Sequence, residues 1–264
     1  MKVLMTAVVM TATLAATLAT PSFAADEGGC FVAGNLVQAD FALPHAAAAI
    51  AAKHLNVVVL GSASSSLPGA SGAANAYPAR LEASLTRRLP GVAVKVVSHT
   101  KARETAADMV KTLRQALQDE KPDLVVWQTG TVDAMLGVDP DQFQGALAEG
   151  LDALRDNKSD AVFMNMQYSP RTDSMIAMGA YVEAMRFIAV QREILLFDRL
   201  AVMNDWNEMG VFDLSAATKK IDVAEQVHDC IGRLLSRLIV DGANLAKASN
   251  MGAGPMDTPH REIH

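Results

Sequence analysis

Aromatic side chains are scarce, at 5 % of 264 residues, with two Trp and three Tyr. That leaves no platform on which unpaired bases could stack. Positive charge is also short. The chain has 23 Lys and Arg against 29 Asp and Glu, a formal net charge of -6. Without a basic stripe to displace counterions from phosphates, no nucleic-acid partner is expected. Only two cysteines occur, Cys30 and Cys230, and neither has a second ligand at C-x-x-C spacing. A thiolate metal site is therefore not expected, and no cofactor motif is present. Beyond the N-terminus no run reaches ~18 apolar residues, so no later membrane span is expected. The fourteen methionines are scattered, which fits core filling rather than a methionine-lined groove.

Half of the residues are apolar, enough for one globular domain with a sizeable core. The first residues, "MKVLMTAVVMTATLAATLATPSFAADE", carry one Lys, a short Thr-rich apolar stretch and a small-residue site at "SFA". That is the pattern of a secretory signal over residues 1–24, cleaved after Ala24. The alternative is an uncleaved membrane anchor. Export places the mature chain in the periplasm or outside the cell, an oxidising setting in which Cys30 and Cys230 can pair. Such a disulfide closes a loop of about 200 residues and contributes on the order of 4–5 kcal/mol in the chain-entropy model. Two separate free thiols are the other reading.

Residues 25–54 are expected to form a strap and a helix ahead of the main domain, 55–241. There, short apolar runs at 55–61, 92–98, 122–128, 160–166 and 193–198 read as strands buried on both faces. Helical stretches separate them. Ala106, Met109, Val110, Leu113 and Leu117 share one helix face, and Asp139-Pro140 opens the next helix as cap and first turn. A last stripe joins Val227, Cys230, Ile231, Leu234, Leu235, Leu238 and Ile239. Repeated β-α units imply an α/β fold: a three-layer, doubly wound, five-stranded parallel sheet of flavodoxin-like order 2-1-3-4-5. Residues 242–264 lack apolar periodicity and read as a disordered tail. His260 and His264 lie four apart in it and read as solvated side chains rather than metal ligands.

In such folds ligands sit beyond the carboxyl ends of the strands. The loops there are "GSASSS" after strand one, "SHTKARET" after strand two and "QTGTVDAM" after strand three. "DLSAATKKIDVAEQVHDC" precedes and enters the last helix. Their order and spacing from residue 55 to about 240 resemble the SGNH/GDSL hydrolases, and "AYPARLEASL" and "PDLVVWQTGT" resemble the flanks of one bacterial branch. The resemblance implies a serine ester hydrolase. Its nucleophile follows strand one, a Gly and an Asn help form the oxyanion hole, and an Asp-x-x-His precedes the final helix. The four signature positions fall on other residues here. After Gly61 and Ser62, Ala63 stands at the nucleophile position. Arg103 stands at the oxyanion Gly, and after Gly130, Val132 stands at the Asn, followed by Asp133. Counting eight back from Cys230, the base position falls on Asp222.

Ala63 cannot attack an ester, and Val132 offers no donor to an oxyanion; one such donor is worth ~10²–10³ in rate. An Asp ionises well below neutral pH unless buried and is not a ready replacement for a histidine base near pH 7. The expected protein is thus a non-catalytic or strongly impaired relative that binds a small-molecule, lipid or glycan ligand. The alternative is an active esterase or carbohydrate O-deacetylase. It would use Ser62 or Ser64 with His228, Glu225 standing three residues before the His. Against that, Ser62, Ser64, Ser65 and Ser66 also suit a polar turn bonding its own backbone. His228 equally suits the flank of a helix stripe, and Asp133 a capping role. Arg103 is expected to pair with Asp222 or Asp133 and plug the cleft, or else to point outward toward an anionic ligand.

Overall fold

A computed structural model describes residues 23–24, 29–215 and 221–252. Five parallel strands form one sheet: β1 (His54–Gly61), β2 (Ala93–Thr100), β3 (Leu124–Gln128), β4 (Asp160–Met164) and β5 (Leu195–Phe197). Their spatial order is β2-β1-β3-β4-β5, the doubly wound order expected from the sequence. Helix α1 (Pro44–Ala51) precedes the sheet, the crossovers run through α2 (Tyr77–Arg88), α3 (Ala106–Asp119), α4 (Thr131–Leu136), α5 (Pro140–Asn157) and α6 (Gly179–Gln191), and α7 (Arg199–Glu208) and α8 (Ile221–Gly252) follow it.

Successive residues of β1 feed opposite faces of the sheet. Val57 and Val59 join a core with Tyr77, Leu81, Ile231 and Leu235 of α2 and α8. Val58 and Leu60 join a second core with Met109, Leu113, Phe143 and Met185 of α3, α5 and α6. Both faces are therefore covered, which is why β1, β3 and β4 read as unbroken apolar runs. The edge strand β2 differs: its exposure alternates and Lys95 is exposed, since only one neighbour covers it. Helix entries follow local chemistry. Thr105 and Asp108 form a reciprocal capping box at α3, and Asp139 accepts from the amides of Asp141 and Gln142 at α5.

The strap before α1 lies across α8. Cys30 and Cys230 form a disulfide with their Cα atoms 5.4 Å apart. The Trp206 indole N–H donates to Phe31 O at 2.8 Å, and Leu43 N–H donates to Gly242 O at 3.0 Å. A two-residue ladder pairs Phe23–Ala24 with Val32–Ala33. The other residues of the expected signal, 1–22, lie outside the described residues.

The last helix departs from the expected boundary. It does not end at Asp241 but continues to Gly252. Gly242, Ala243 and Ala246 read as loop composition, yet they form a close-contact face. A Cβ at Gly242 would lie 2.8 Å from Leu195 and 3.0 Å from Leu43, and both alanines are buried. The remainder of the expected tail, including His260 and His264, lies outside the described residues.

Candidate functional site

Strand β1 ends at Gly61, and the chain turns through a short 3-10 segment, Ala63–Ser65. Gly61 is needed there because a Cβ would sit 2.2 Å from Ser65 Oγ. Gln128, the last residue of β3, organises this turn. Its Oε1 accepts from Ser62 N–H at 2.9 Å, Ser62 Oγ at 3.0 Å, Ser65 Oγ at 2.9 Å and Ser64 Oγ at 3.4 Å. Ser62 N–H can only donate, so it fixes the amide oxygen toward the turn. The opposite end, Nε2, is buried without a partner. Ser65 Oγ also meets Tyr77 OH at 2.9 Å, and Ser66 Oγ donates to Ala63 O at 2.9 Å. The serines therefore bind the turn to the sheet. Ala63 stands exposed at its apex, with no hydroxyl to present.

His228 does not complete a catalytic pair. It is 5 % exposed on α8, and its Nδ1 accepts from Tyr77 N–H at 3.0 Å. Among the described residues no serine hydroxyl hydrogen-bonds to it, and Glu225 instead accepts from Asn75 at 2.7 Å. Burial, and after it the Arg199 charge, pull the imidazole pKa down to about 3. A ring that uses one nitrogen on a backbone amide and resists protonation is a poor proton acceptor for a serine. The arrangement of Ser62 or Ser64 with His228 is not formed.

The expected plug is not formed either. Arg103 is exposed and makes no ion pair with any described residue. Its φ of 65° is left-handed, the conformation that a glycine adopts without strain. The backbone has kept the shape of a glycine turn while the side chain leaves for solvent. Asp133 is buried and already occupied: its carboxylate accepts from Ala106 N–H at 3.0 and 3.2 Å, capping α3. Burial raises its pKa above the usual carboxylate value, while that N–H opposes. Asp222 is exposed in the first turn of α8, lining a depression with Arg80, Glu225 and Asp229. Arg103 lines a different depression, with Lys101, Glu104 and Asp108. Arg103, Asp133 and Asp222 thus face separate surroundings. Gly130 has φ 97° and packs against Met166, while Val132 is half-buried in the first turn of α4.

One charged residue escaped the sequence reading. Arg199, the first residue of α7, is 1 % exposed. Its Nη1 donates to Ser64 Oγ at 3.2 Å, and its Nη2 donates to Ser64 O at 3.2 Å and Gln167 Oε1 at 3.5 Å. The guanidinium carbon stands 5.9 Å from the centre of the Tyr77 ring. Among the described residues its Nε has no partner and no carboxylate pairs with it. Desolvation pulls its pKa down to about 10. The signal was available: in "EILLFDRL" a cation stands two residues past the end of an apolar strand. Gln128, at the end of "LVVWQ", offered the same kind of clue. Among the described residues no group of three or more His, Cys, Asp or Glu converges as a metal site.

Several solved structures share this fold. TesA matches with a TM-score of 0.53 at 21 % identity, covering 69 % of this chain and 99 % of that one. A lipase/acylhydrolase from Enterococcus faecalis matches with a TM-score of 0.56 at 16 % identity, covering 70 % and 95 %. Axe2, an acetylxylan esterase from Geobacillus stearothermophilus, matches with a TM-score of 0.54 at 19 % identity, covering 70 % and 94 %. No curated protein matches the sequence. The family model for the Non-GDSL lipase-like family matches residues 29–245, which span the strap, the sheet and most of α8, and the chain belongs to that family, on the fold of the SGNH/GDSL hydrolases.

Proposed function

We propose that this chain is an exported, non-hydrolytic member of its family that binds a small-molecule, lipid or glycan ligand at the carboxyl ends of the strands. The observation that carries the reading is the turn after β1. Its apex is Ala63, and every serine beside that apex is committed to the turn or to Gln128. Covalent catalysis needs an activated oxygen or sulfur, and neither is presented. The other losses point the same way. Val132 supplies no donor, Asp222 is an exposed carboxylate, and His228 holds a backbone amide. The structural relatives named as esterases and lipases keep acyl-bearing glycans and lipids as the ligand classes to try first. The N-terminal signal pattern supports export to the periplasm or beyond, and so does a disulfide joining residues 200 apart in sequence.

Labelling with a fluorophosphonate, followed by intact mass measurement, tests this reading. The mature protein is expected to gain no phosphonyl mass. A stoichiometric adduct mapped to Ser62 or Ser64 would overturn it.

A further inference from the structure

The buried Arg199 guanidinium is the least compensated charge near the turn. A cation removed from water is normally matched by a carboxylate or by a full set of hydrogen bonds. Arg199 has neither. Its three hydrogen bonds are 3.2 to 3.5 Å long, all to neutral acceptors. Charge-assisted bonds of this kind ordinarily run ≈ 2.7–2.9 Å. Its Nε–H has no acceptor among the described residues. Nearby, Gln128 directs a second buried, unpartnered donor group, Nε2, away from the serines. Ser64 links the two side chains, since its Oγ meets both Gln128 Oε1 and Arg199 Nη1.

The cover over Arg199 is thin. Ser64 and Gln167 are half-buried, and Ala63 beside them is exposed. Rotation of the Gln167 side chain removes its 3.5 Å bond on Nη2, the longest of the three. The turn has no side chain beyond Cβ at Ala63 to block approach from solvent. On its other side the guanidinium lies against the Tyr77 ring, a flat wall.

From the buried guanidinium, its Nε without a partner among the described residues and this thin cover, we propose that Arg199 is the anchor of a carboxylate-binding site, in which a ligand carboxylate displaces Gln167 Oε1 and takes the Nε–Nη2 edge. That edge is planar and fits two carboxylate oxygens side by side. A carboxylate brings one negative charge to the one guanidinium, whereas a phosphate near pH 7 brings about 1.5–2. This inference rests on the non-hydrolytic reading above and gives its ligand a chemical class. It also explains why the fold keeps a buried cation that an apolar residue could replace at little or no cost.

The test uses the mature protein with acetate, octanoate and inorganic phosphate as probes, against chloride at constant ionic strength. Either carboxylate should give a saturable rise in Tm of about 3–6 °C at ten times its Kd. The Arg199 Nε–H resonance in 15N-edited NMR should shift with the same Kd. Arg199→Met should fold, melt no lower than the parent and lose the response, whereas Gln167→Ala should keep or strengthen it. The NMR titration needs no variant, so a misfolded Arg199→Met leaves the test intact. The proposal is overturned if no carboxylate moves the Nε–H resonance, if Arg199→Met keeps the response, or if phosphate binds more tightly than both carboxylates. Failure here, with no fluorophosphonate adduct, leaves the non-hydrolytic reading standing; an adduct removes that reading first.

Discussion

Acid should weaken this fold through His228, and the size of the effect follows from its surroundings. The imidazole is 5 % exposed and accepts from Tyr77 N–H through Nδ1. Protonating Nδ1 would set two donors against each other. Burial and the Arg199 charge hold the folded-state pKa at about 3, against 6.5 for a free histidine. A depressed pKa means that the unfolded chain binds the proton first. The stabilisation is therefore complete above about pH 6.5 and drains as pH falls toward 3. Each pH unit within that window removes up to about 1.4 kcal/mol, so pH 4.5 costs on the order of 2–3 kcal/mol relative to pH 6.5. His228→Asn keeps an acceptor for Tyr77 N–H and removes the titration. Urea unfolding of both proteins between pH 7.5 and 4.5 gives the comparison. The parent should lose on the order of 2–3 kcal/mol more than the variant across that range. Equal pH slopes for the two proteins would refute the reasoning. The difference between them is the proper readout, because Asp160 titrates in the same range with the opposite sign.

Asp160 itself is 8 % exposed and accepts from Ala46 N–H at 2.9 Å, and burial raises its pKa to about 6. Its favourable contribution is present below the unfolded carboxylate pKa and lost as pH rises through 6. Asp160→Asn should thus stabilise the protein at pH 7.5 by on the order of 1–3 kcal/mol and have little effect at pH 4, as read by thermal melts; a lower Tm at pH 7.5 would contradict this. Removing the Cys30–Cys230 bond by a double Ser substitution should cost about 4–5 kcal/mol in urea unfolding. Amides of residues 29–43 should then lose exchange protection first; a cost under about 1 kcal/mol would mean that the Trp206 and Leu43 contacts hold the strap unaided.

The sheet was legible because its inner strands are buried on both faces, which forces apolar runs at 57–60, 124–127 and 161–164. The sheet order followed from the same runs, and the disulfide from the two cysteines with the export signal. The end of α8 was not legible, because small residues at 242–246 look like a loop in composition while serving a tight helix contact. The positions of the candidate loops were legible, since residues 62–66, Arg103 and residues 130–133 follow the first three strands of the sheet. How their side chains lie was harder to see. Arg103 seemed a plug because spacing brings it near the cleft, but spacing does not say which way a side chain leaves a left-handed turn. Arg199 and Gln128 went unremarked because a polar residue at the end of a buried strand has many possible partners. Only the three-dimensional arrangement brings Ser62, Ser64, Ser65 and Tyr77 to them.

Turnover of p-nitrophenyl acetate by the mature protein, set beside Ser62→Ala, Ser64→Ala and His228→Ala, measures the central claim most directly. All four proteins should hydrolyse the ester at the rate of an equal mass of non-enzymatic protein, with no burst. A parent rate well above that background, abolished by any one of the three substitutions, would show that the turn still carries a nucleophile and that the non-hydrolytic account is wrong.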